Sequence, residues 1–94
     1  MKSIVGWRGV FHVQGDVQGV GFRTWCWTRA VALRLSGYAM NNPDGSVEIV
    51  VEGTEPTVRQ FQTLLEKGNP PGHVRSLTVQ VQIGRPQFSS FLIR

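Results

Sequence analysis

Three closely spaced glycines, Gly15, Gly19 and Gly21, constrain this chain more than any other feature of its sequence. Glycine lets consecutive main-chain N–H groups converge where a side chain would clash, and such a concavity binds anions. The pattern that follows is helical, so a helix N-terminus adds unsatisfied donors and a positive dipole end. Arg23 adds a planar cation that fits two oxygens of a phosphate or carboxylate. The segment therefore predicts a phosphate-sized cradle with its counter-charge built in.

Length and charge bound the class of protein. The 94 residues form one domain, residues 1–94, and the formal net charge of +4 favours anionic partners. A single cysteine, Cys26, excludes an intrachain disulfide and favours a reducing compartment. No signal-peptide pattern is present, and no apolar run approaches the roughly 20 residues that span a bilayer. We therefore expect a cytoplasmic monomer that does not associate with membranes.

The first half of the chain predicts a strand, a helix and a hairpin. Residues 10–14 alternate and lead into the glycines, and residues 22–35 have helical periodicity that stops at Ser36-Gly37. Residues 38–42 and 47–52 read as two strands joined by the turn Asn42-Pro43-Asp44-Gly45. The predicted core stripe of the helix consists of Phe22, Trp25, Cys26, Ala30, Ala32 and Leu33, with Arg29 unexplained inside it.

The second half predicts another helix and two more strands. Thr54 or Glu55 can cap a helix that ends at Gly68, with Pro56 in its first turn. Its buried stripe is Val58, Phe61, Leu64 and Leu65. Residues 77–83 alternate as a half-buried strand, and residues 88–93 can add an edge strand. This βαββαβ order predicts an α+β ferredoxin-like sandwich, a four- to five-stranded antiparallel sheet with two helices on one face.

Several sites are excluded or disfavoured by the residue types present. No lysine follows the last glycine of the loop, so it is not a Walker A motif, and Thr24 replaces the third glycine of a dinucleotide fingerprint. His12, His73 and Cys26 lack ligand-like spacing, so we expect no metal and no cofactor. Glycines between a strand and a helix also often serve only the turn, which leaves a structural interpretation open.

The remaining polar and reactive candidates are expected to be structural. Cys26 is interpreted as a small core residue rather than a nucleophile. Asp16 and Asp44 are interpreted as turn residues, and Glu48 and Glu52 as residues on a strand face.

Two longer motifs resemble the acylphosphatase family. They are Gly15-x-Val17-Gln18-Gly19-Val20-Gly21-Phe22-Arg23 and Gly37-Tyr38-x-x-Asn41-x-Pro43-Asp44-Gly45-x-Val47-Glu48. The resemblance covers nearly the whole chain after about its first ten residues. It implies a ferredoxin-like fold and a hydrolase that cleaves the carboxyl–phosphate bond of acyl phosphates without a metal or cofactor.

The resemblance also assigns site residues. It implies that Arg23 binds the substrate phosphate and that Asn41 positions the attacking water. The cradle N–H groups fall on Gln18, Gly19, Val20, Gly21, Phe22 and Arg23. Met40 departs from the pattern, because many members carry a basic residue there, and Trp7-Arg8-Gly9 is an unusual start to the first strand.

Two other functions remain as alternatives. A nucleic-acid-binding module would share the architecture and suit the basic charge, but the strand 47–52 carries no aromatic residue and two acids. A non-catalytic domain of the kind fused within larger enzymes would bind acyl phosphates without hydrolysing them. The presence of both Arg23 and Asn41 favours catalysis, with a small-molecule acyl phosphate as partner and no nucleic acid.

Overall fold

Five strands form one mixed sheet, and two helices pack on one of its faces, in a computed structural model that describes residues 6–94. The sheet order is β4-β1-β3-β2-β5. The elements are β1 (Gly6–Asp16), α1 (Phe22–Ala32), β2 (Ser36–Asn41), β3 (Val47–Gly53), α2 (Glu55–Lys67), β4 (His73–Gly84) and β5 (Phe91–Ile93). The predicted ferredoxin-like fold is confirmed. Among these residues no helix is long and apolar enough to cross a membrane.

The core lies between the sheet and the two helices. Side chains alternate along a strand, so every second residue of β1 and β3 faces the helices. Phe11 of β1 meets Phe61 of α2 edge to face, with ring centroids 5.6 Å apart. Truncating such a buried aromatic to alanine costs about 3–5 kcal/mol. The fully buried members include Phe11, Val13, Val17, Phe22, Cys26, Ala30, Ile49, Val51, Val58 and Phe61.

The sheet departs from the predicted antiparallel arrangement at β5. All other neighbouring strands are antiparallel, whereas β5 pairs in parallel with β2, with Ala39 opposite Ile93. The chain leaves β4 at one edge and reaches β5 at the other, so residues 85–90 must cross the face away from the helices. Strand β5 is also shorter than the predicted range 88–93.

Glu52 anchors this crossing segment. It lies on a strand face as predicted, but it is only 4% exposed. One carboxylate oxygen accepts a hydrogen bond from Nε of Arg8 at 2.8 Å. The other accepts hydrogen bonds from the main-chain N–H groups of Gln87 and Phe88 at 2.8 and 2.9 Å. Such charge-assisted bonds satisfy a buried carboxylate that would otherwise be costly.

Helix α1 ends three residues before the predicted end at Leu35. The N–H of Leu35 bonds to the carbonyl of Ala30 at 2.8 Å, and that of Arg34 to the carbonyl of Val31 at 3.0 Å. With Arg34 left-handed at φ 58°, these bonds form a Schellman motif that turns the buried Leu35 into the core. The predicted stop at Ser36-Gly37 is therefore wrong, since both residues already belong to β2.

Three further residues of α1 show which of its faces is buried. Ala32 is exposed, so its predicted place in the core stripe is wrong. Arg29 lies over the ring of Trp25, 5.4 Å from the centroid, which explains a cation on this side of the helix. Cys26 is fully buried, and burial raises the pKa of its thiol to about 12. Its interpretation as a core residue is confirmed.

Helix α2 follows its prediction closely, and strand β4 follows it less closely. Thr54 caps α2 and Gly68 ends it, while Leu64 is half-buried rather than buried. Strand β4 starts at His73, four residues earlier than predicted. Its half-buried pattern holds for Leu77 and Val79, but Val81 and Ile83 are exposed. Because β4 is an edge strand, it pairs only with β1 and its end receives less cover.

Candidate active site

The loop 17–21 joins the end of β1 to the start of α1 and contains Gly19 and Gly21, whereas Gly15, which was predicted to belong to the same turn, lies inside β1 at a register shift against β4. Gly19 has φ 74° and Gly21 has φ 85°, a left-handed backbone that glycine adopts without steric cost. A Cβ atom placed on either glycine would meet nothing within 4 Å. The glycines are therefore required for the backbone path, which forms an open concavity rather than a packed turn. We call residues 17–23 the cradle.

The main-chain N–H groups of the cradle are unused. Within residues 6–94, none of the N–H groups of residues 18–23 donates a hydrogen bond to the protein. The first bond of α1 runs from the N–H of Trp25 to the carbonyl of Gly21 at 3.0 Å. Gly21, the N-cap, has no side chain that could accept from the helix, and the first turn holds no acid. These donors are available to an external anion.

Arg23 supplies the positive charge beside these donors. One terminal nitrogen donates to the main-chain oxygen of Arg94 at 2.6 Å. Arg94 is held in turn by its N–H, which bonds to the carbonyl of Ala39, and by its guanidinium, which lies 4.2 Å from the centroid of Tyr38. The other guanidinium N–H groups of Arg23 have no protein partner among the described residues. The bond to Arg94 thus orients the guanidinium of Arg23, and its remaining N–H groups are available to bind an anion.

A small cleft of about 90 Å³ lies at the cradle. Its volume corresponds to a few water molecules, each of which occupies about 30 Å³ of liquid. Ile93 of β5 closes one side, which the sequence did not predict. The lining residues are Val17, Gly19, Gly21, Phe22, Arg23, Thr24 and Ile93.

Asn41 ends β2 at the same end of the sheet. It lies two residues after Ala39, which is fully buried beneath the helices, so both side chains point to the helix face. The side-chain oxygen Oδ1 of Asn41 is buried, and it has no hydrogen-bond partner among residues 6–94. Buried amide oxygens in folded proteins nearly always have a partner. A water or ligand at this position would satisfy it.

Gln18 connects the cradle to the β2–β3 turn. Its side-chain Nε2 donates to the carbonyls of Asn42 and Ser46, at 2.8 and 2.9 Å. These two bonds bring the cradle beside the turn that follows Asn41. Only the main-chain N–H of Gln18 is predicted from the sequence. The two donors of its side-chain amide are the signal that could have indicated that Gln18 also bonds to the β2–β3 turn.

Ser46 organises the β2–β3 turn. Its hydroxyl donates to Asp44, so it accepts from Nδ2 of Asn42 and from Nε2 of His12, both at 2.9 Å. The main-chain N–H of Ser46 also bonds to Asp44 at 2.9 Å. The hydroxyl and the N–H of Ser46 hold the pKa of Asp44 below its ordinary value. These hydrogen bonds hold the turn that directly follows Asn41 in one conformation.

The remaining candidates lie away from the cradle or support it. His12 is a partner of Ser46, and His73 is an exposed residue at the start of β4. Asp16 ends β1 and pairs with Arg75 at 3.2 Å, whereas Asp44 is a turn residue as predicted. Met40 is half-buried on β2, opposite Glu48 of β3. No group of three or more His, Cys, Asp and Glu residues within 6–94 could hold a metal ion.

A ferredoxin-like sandwich with an uncapped helix N-terminus and an arginine after its first strand defines a small α+β domain with a candidate anion site. A family model described as Acylphosphatase matches residues 9–93. An acylphosphatase of Mycolicibacterium vanbaalenii is 52% identical over 62 residues, 66% of this chain and 67% of that protein. An acylphosphatase of Syntrophotalea carbinolica is 42% identical over 94 residues, 100% of this chain and 99% of that protein.

The solved structures agree with the sequence relatives. The crystal structure of acylphosphatase from Bacillus subtilis superposes with a TM-score of 0.87 at 30% identity. The match covers 94% of this chain and 98% of that chain. The chain belongs to the acylphosphatase family.

Proposed function

We propose that the cradle and Arg23 bind the phosphate of an acyl phosphate, and that Asn41 orients the water that attacks it. Family membership carries the overall activity: the enzyme hydrolyses an acyl phosphate to a carboxylate and inorganic phosphate. The roles of single residues are our proposal. They rest on one observation: the unused N–H donors of the cradle and the unpartnered Oδ1 of Asn41 lie at the same end of the sheet.

The chemistry requires little beyond binding and orientation. Water attacks phosphorus, the bond between phosphorus and the acyl oxygen breaks, and the carboxylate leaves with the bonding electrons. The transition state is loose, with negative charge spread over the phosphoryl oxygens. Preorganised N–H groups and the planar guanidinium of Arg23 stabilise this charge. A carboxylate is a good leaving group, so the reaction needs no strong general acid.

Asn41 can act only as an orienting group. A carboxamide does not titrate near neutral pH, so it cannot remove the proton of the attacking water. Its buried Oδ1 can accept a hydrogen bond from that water and hold it in line with the leaving group. The proton then passes to the phosphoryl group, as the family resemblance implies. Gln18 and Ser46 keep Asn41 and the cradle in register through their bonds at the turn.

Hydrolysis of benzoyl phosphate tests this proposal. The full chain is incubated in excess chelator, and loss of substrate is followed by ultraviolet absorbance. We expect turnover in the parent and its loss in Arg23→Ala, with inorganic phosphate as a competitive inhibitor of the parent. Absence of turnover above the Arg23→Ala control would contradict catalysis. Phosphate binding without turnover would instead support a domain that only binds acyl phosphates.

The setting of the enzyme is proposed on narrower grounds. We propose that residues 1–94 act as a single domain and a monomer on small acyl phosphates. Cys26 is fully buried and its thiol is unpaired, which suits a reducing compartment such as the cytoplasm. Sedimentation equilibrium of the full chain tests the oligomeric state, and a concentration-dependent mass would contradict the monomer.

A further inference from the structure

A second, larger cleft lies at the opposite end of the sheet from the cradle. Strand β1 starts at this end and reaches the cradle only after its last residue, Asp16. The cleft has a volume of about 540 Å³, whereas the cleft at the cradle has about 90 Å³. We call it the distal cleft, and the lining residues that matter here are Trp7, Leu33, Arg34, Glu52, Ile83 and Arg85. Its size lies within the range of small-molecule sites.

The walls of the distal cleft combine apolar surface with positive charge. Trp7 and Leu33 are half-buried against the core, and Ile83 is 64% exposed. Glu52 is the only acid among the described lining residues. Arg8 already offsets its charge, and two main-chain N–H groups donate to its other oxygen. The N-terminus of α2 also faces the cleft, but Thr54 caps it. Charge recognition would therefore depend on arginine side chains.

The side chains of two arginines in the distal cleft have no partner in the part of the chain that the structure describes. The chain has eight arginines, and six of them make a hydrogen bond, an ion pair or a contact with an aromatic ring. Among residues 6–94, the side chains of the other two, Arg34 and Arg85, make none of these contacts, and both residues line this cleft. Only the main-chain oxygen of Arg85 is used, by Arg8 at 3.3 Å. Their guanidinium donors are free for an anion.

Arg34 also occupies a backbone position that favours glycine. It is the left-handed residue of the Schellman motif that ends α1, with φ 58°. Glycine adopts this conformation without a steric cost, and arginine does not. A cation near a helix C-terminus gains some favourable interaction with the dipole. The side chain nevertheless sits at the rim of the distal cleft, where a second free arginine lies.

We propose that the distal cleft binds an amphiphilic anion, a small molecule with a carboxylate or phosphate group and an apolar body. The anionic group would lie between Arg34 and Arg85, and the apolar body would contact Leu33 and Ile83. This site is separate from the cradle in position and in construction: the cradle combines main-chain N–H groups with the side chain of Arg23, whereas the distal cleft offers arginine side chains alone. The proposal does not depend on the catalytic roles of Arg23 and Asn41.

Titration with 2-naphthoate tests the proposal. The isotopically labelled full chain is held in saturating inorganic phosphate, which occupies the cradle, and main-chain amide shifts are recorded. We expect shifts at Gly53 and Gly84 of the distal cleft and none at Gly19 and Gly21. The phosphate analogue 2-naphthyl phosphate should bind at the same place, and uncharged 2-naphthalenemethanol should bind more weakly. Shifts only at the cradle, or equal binding of the uncharged compound, would overturn the proposal.

Two substitutions separate binding from folding. We expect Arg34→Gly and Arg85→Ala each to weaken 2-naphthoate binding by about three- to tenfold, as loss of a charged hydrogen bond near solvent implies. The control Lys67→Ala removes the same charge at the far end of α2 and should not change the affinity. Arg34→Gly should not lower the melting temperature, because glycine suits the left-handed position.

The outcomes are decisive in both directions. Parent-like affinity in both arginine variants would overturn the proposal, and so would an equal loss of affinity in Lys67→Ala. Arg85 lies outside every helix and strand, so its variant is expected to fold and remains informative if Arg34→Gly is unstable.

Discussion

The two helices of this protein begin in opposite ways. At α2, the hydroxyl of Thr54 accepts from the N–H of Thr57 at 3.4 Å, and Glu55 places an acid in the first turn. Pro56 removes one of the donors that would need a partner. At α1, the N-cap is Gly21, which has no side chain, and the first turn carries Arg23 instead of an acid.

The difference shows where an external anion belongs. A side-chain N-cap contributes about 1 kcal/mol, and the chain supplies it at α2 but not at α1. The N–H groups of the α1 terminus therefore remain without protein partners among residues 6–94. An arginine at this end opposes the helix dipole unless an anion lies between them. The open terminus and Arg23 together are suited to a phosphate, and the capped terminus is not.

Replacing the charge at the open terminus should have the largest effect. We expect Arg23→Lys to lower kcat/KM for benzoyl phosphate by about 100-fold or more, because a point charge replaces a planar two-pronged donor. Arg59→Lys on α2 makes the same change beside the capped terminus and should leave the activity unchanged. Steady-state kinetics of both variants measure this contrast. Equal kinetics for the two variants would remove the distinction between the helices.

Asn41→Ala should have the next largest effect. We expect kcat to fall by about tenfold or more, while the dissociation constant of inorganic phosphate stays unchanged, because the water is lost and the cradle is not. Asn69→Gly, which alters an exposed loop asparagine, serves as the control. The measurements are steady-state kinetics and calorimetric phosphate binding. Full turnover in Asn41→Ala would rule out the orienting role.

Removing the cap of α2 should affect stability and leave catalysis intact. We expect Thr54→Ala to lower the free energy of unfolding by about 1 kcal/mol, since the N–H of Thr57 loses its acceptor. The kinetic constants for benzoyl phosphate should not change. Urea denaturation and steady-state kinetics test both statements. A loss of activity without a loss of stability would show that the capped terminus also takes part in catalysis.

The turn after Asn41 should give the smallest effect, visible as a pH dependence. The pKa of Asp44 is lowered by Ser46, so its stabilising contribution is present above the unfolded pKa of about 4. It is lost as the pH falls through the lower folded pKa. We expect Asp44→Asn to be less stable than the parent at pH 6 and to approach it at pH 2. Denaturation at both pH values checks this, and a difference that grows on acidification would contradict it.

Features set by local sequence were predictable. The glycines, Arg23 and the Pro43-Asp44-Gly45 turn lie within short segments whose backbone geometry follows from residue type. The order of strands and helices was predictable for the same reason, because apolar periodicity is a local signal. The fold class, which follows from that order, is confirmed.

Features set by long-range contacts were not predictable. The side chain of Gln18 reaches the turn at Asn42, and Ile93 reaches the cradle only because β5 pairs with β2. Helix α1 ends in a Schellman motif at Arg34, a residue type that gives no local stop signal, and the next residue, Leu35, is buried in the core. The unpartnered Oδ1 of Asn41 is likewise a property of the folded chain, since the sequence alone does not show which amide lacks a partner.

Phosphate binding, followed at individual main-chain amides, tests the difference between the N-termini of α1 and α2 most directly. The isotopically labelled chain is titrated with inorganic phosphate, and the main-chain N–H shifts of both helix termini are compared. We predict saturable shifts at Gly19, Val20 and Gly21 of the cradle and no shifts at Glu55 and Thr57 of α2. Equal shifts at both termini, or shifts at α2 alone, would contradict the proposal that the open terminus of α1 is the phosphate site.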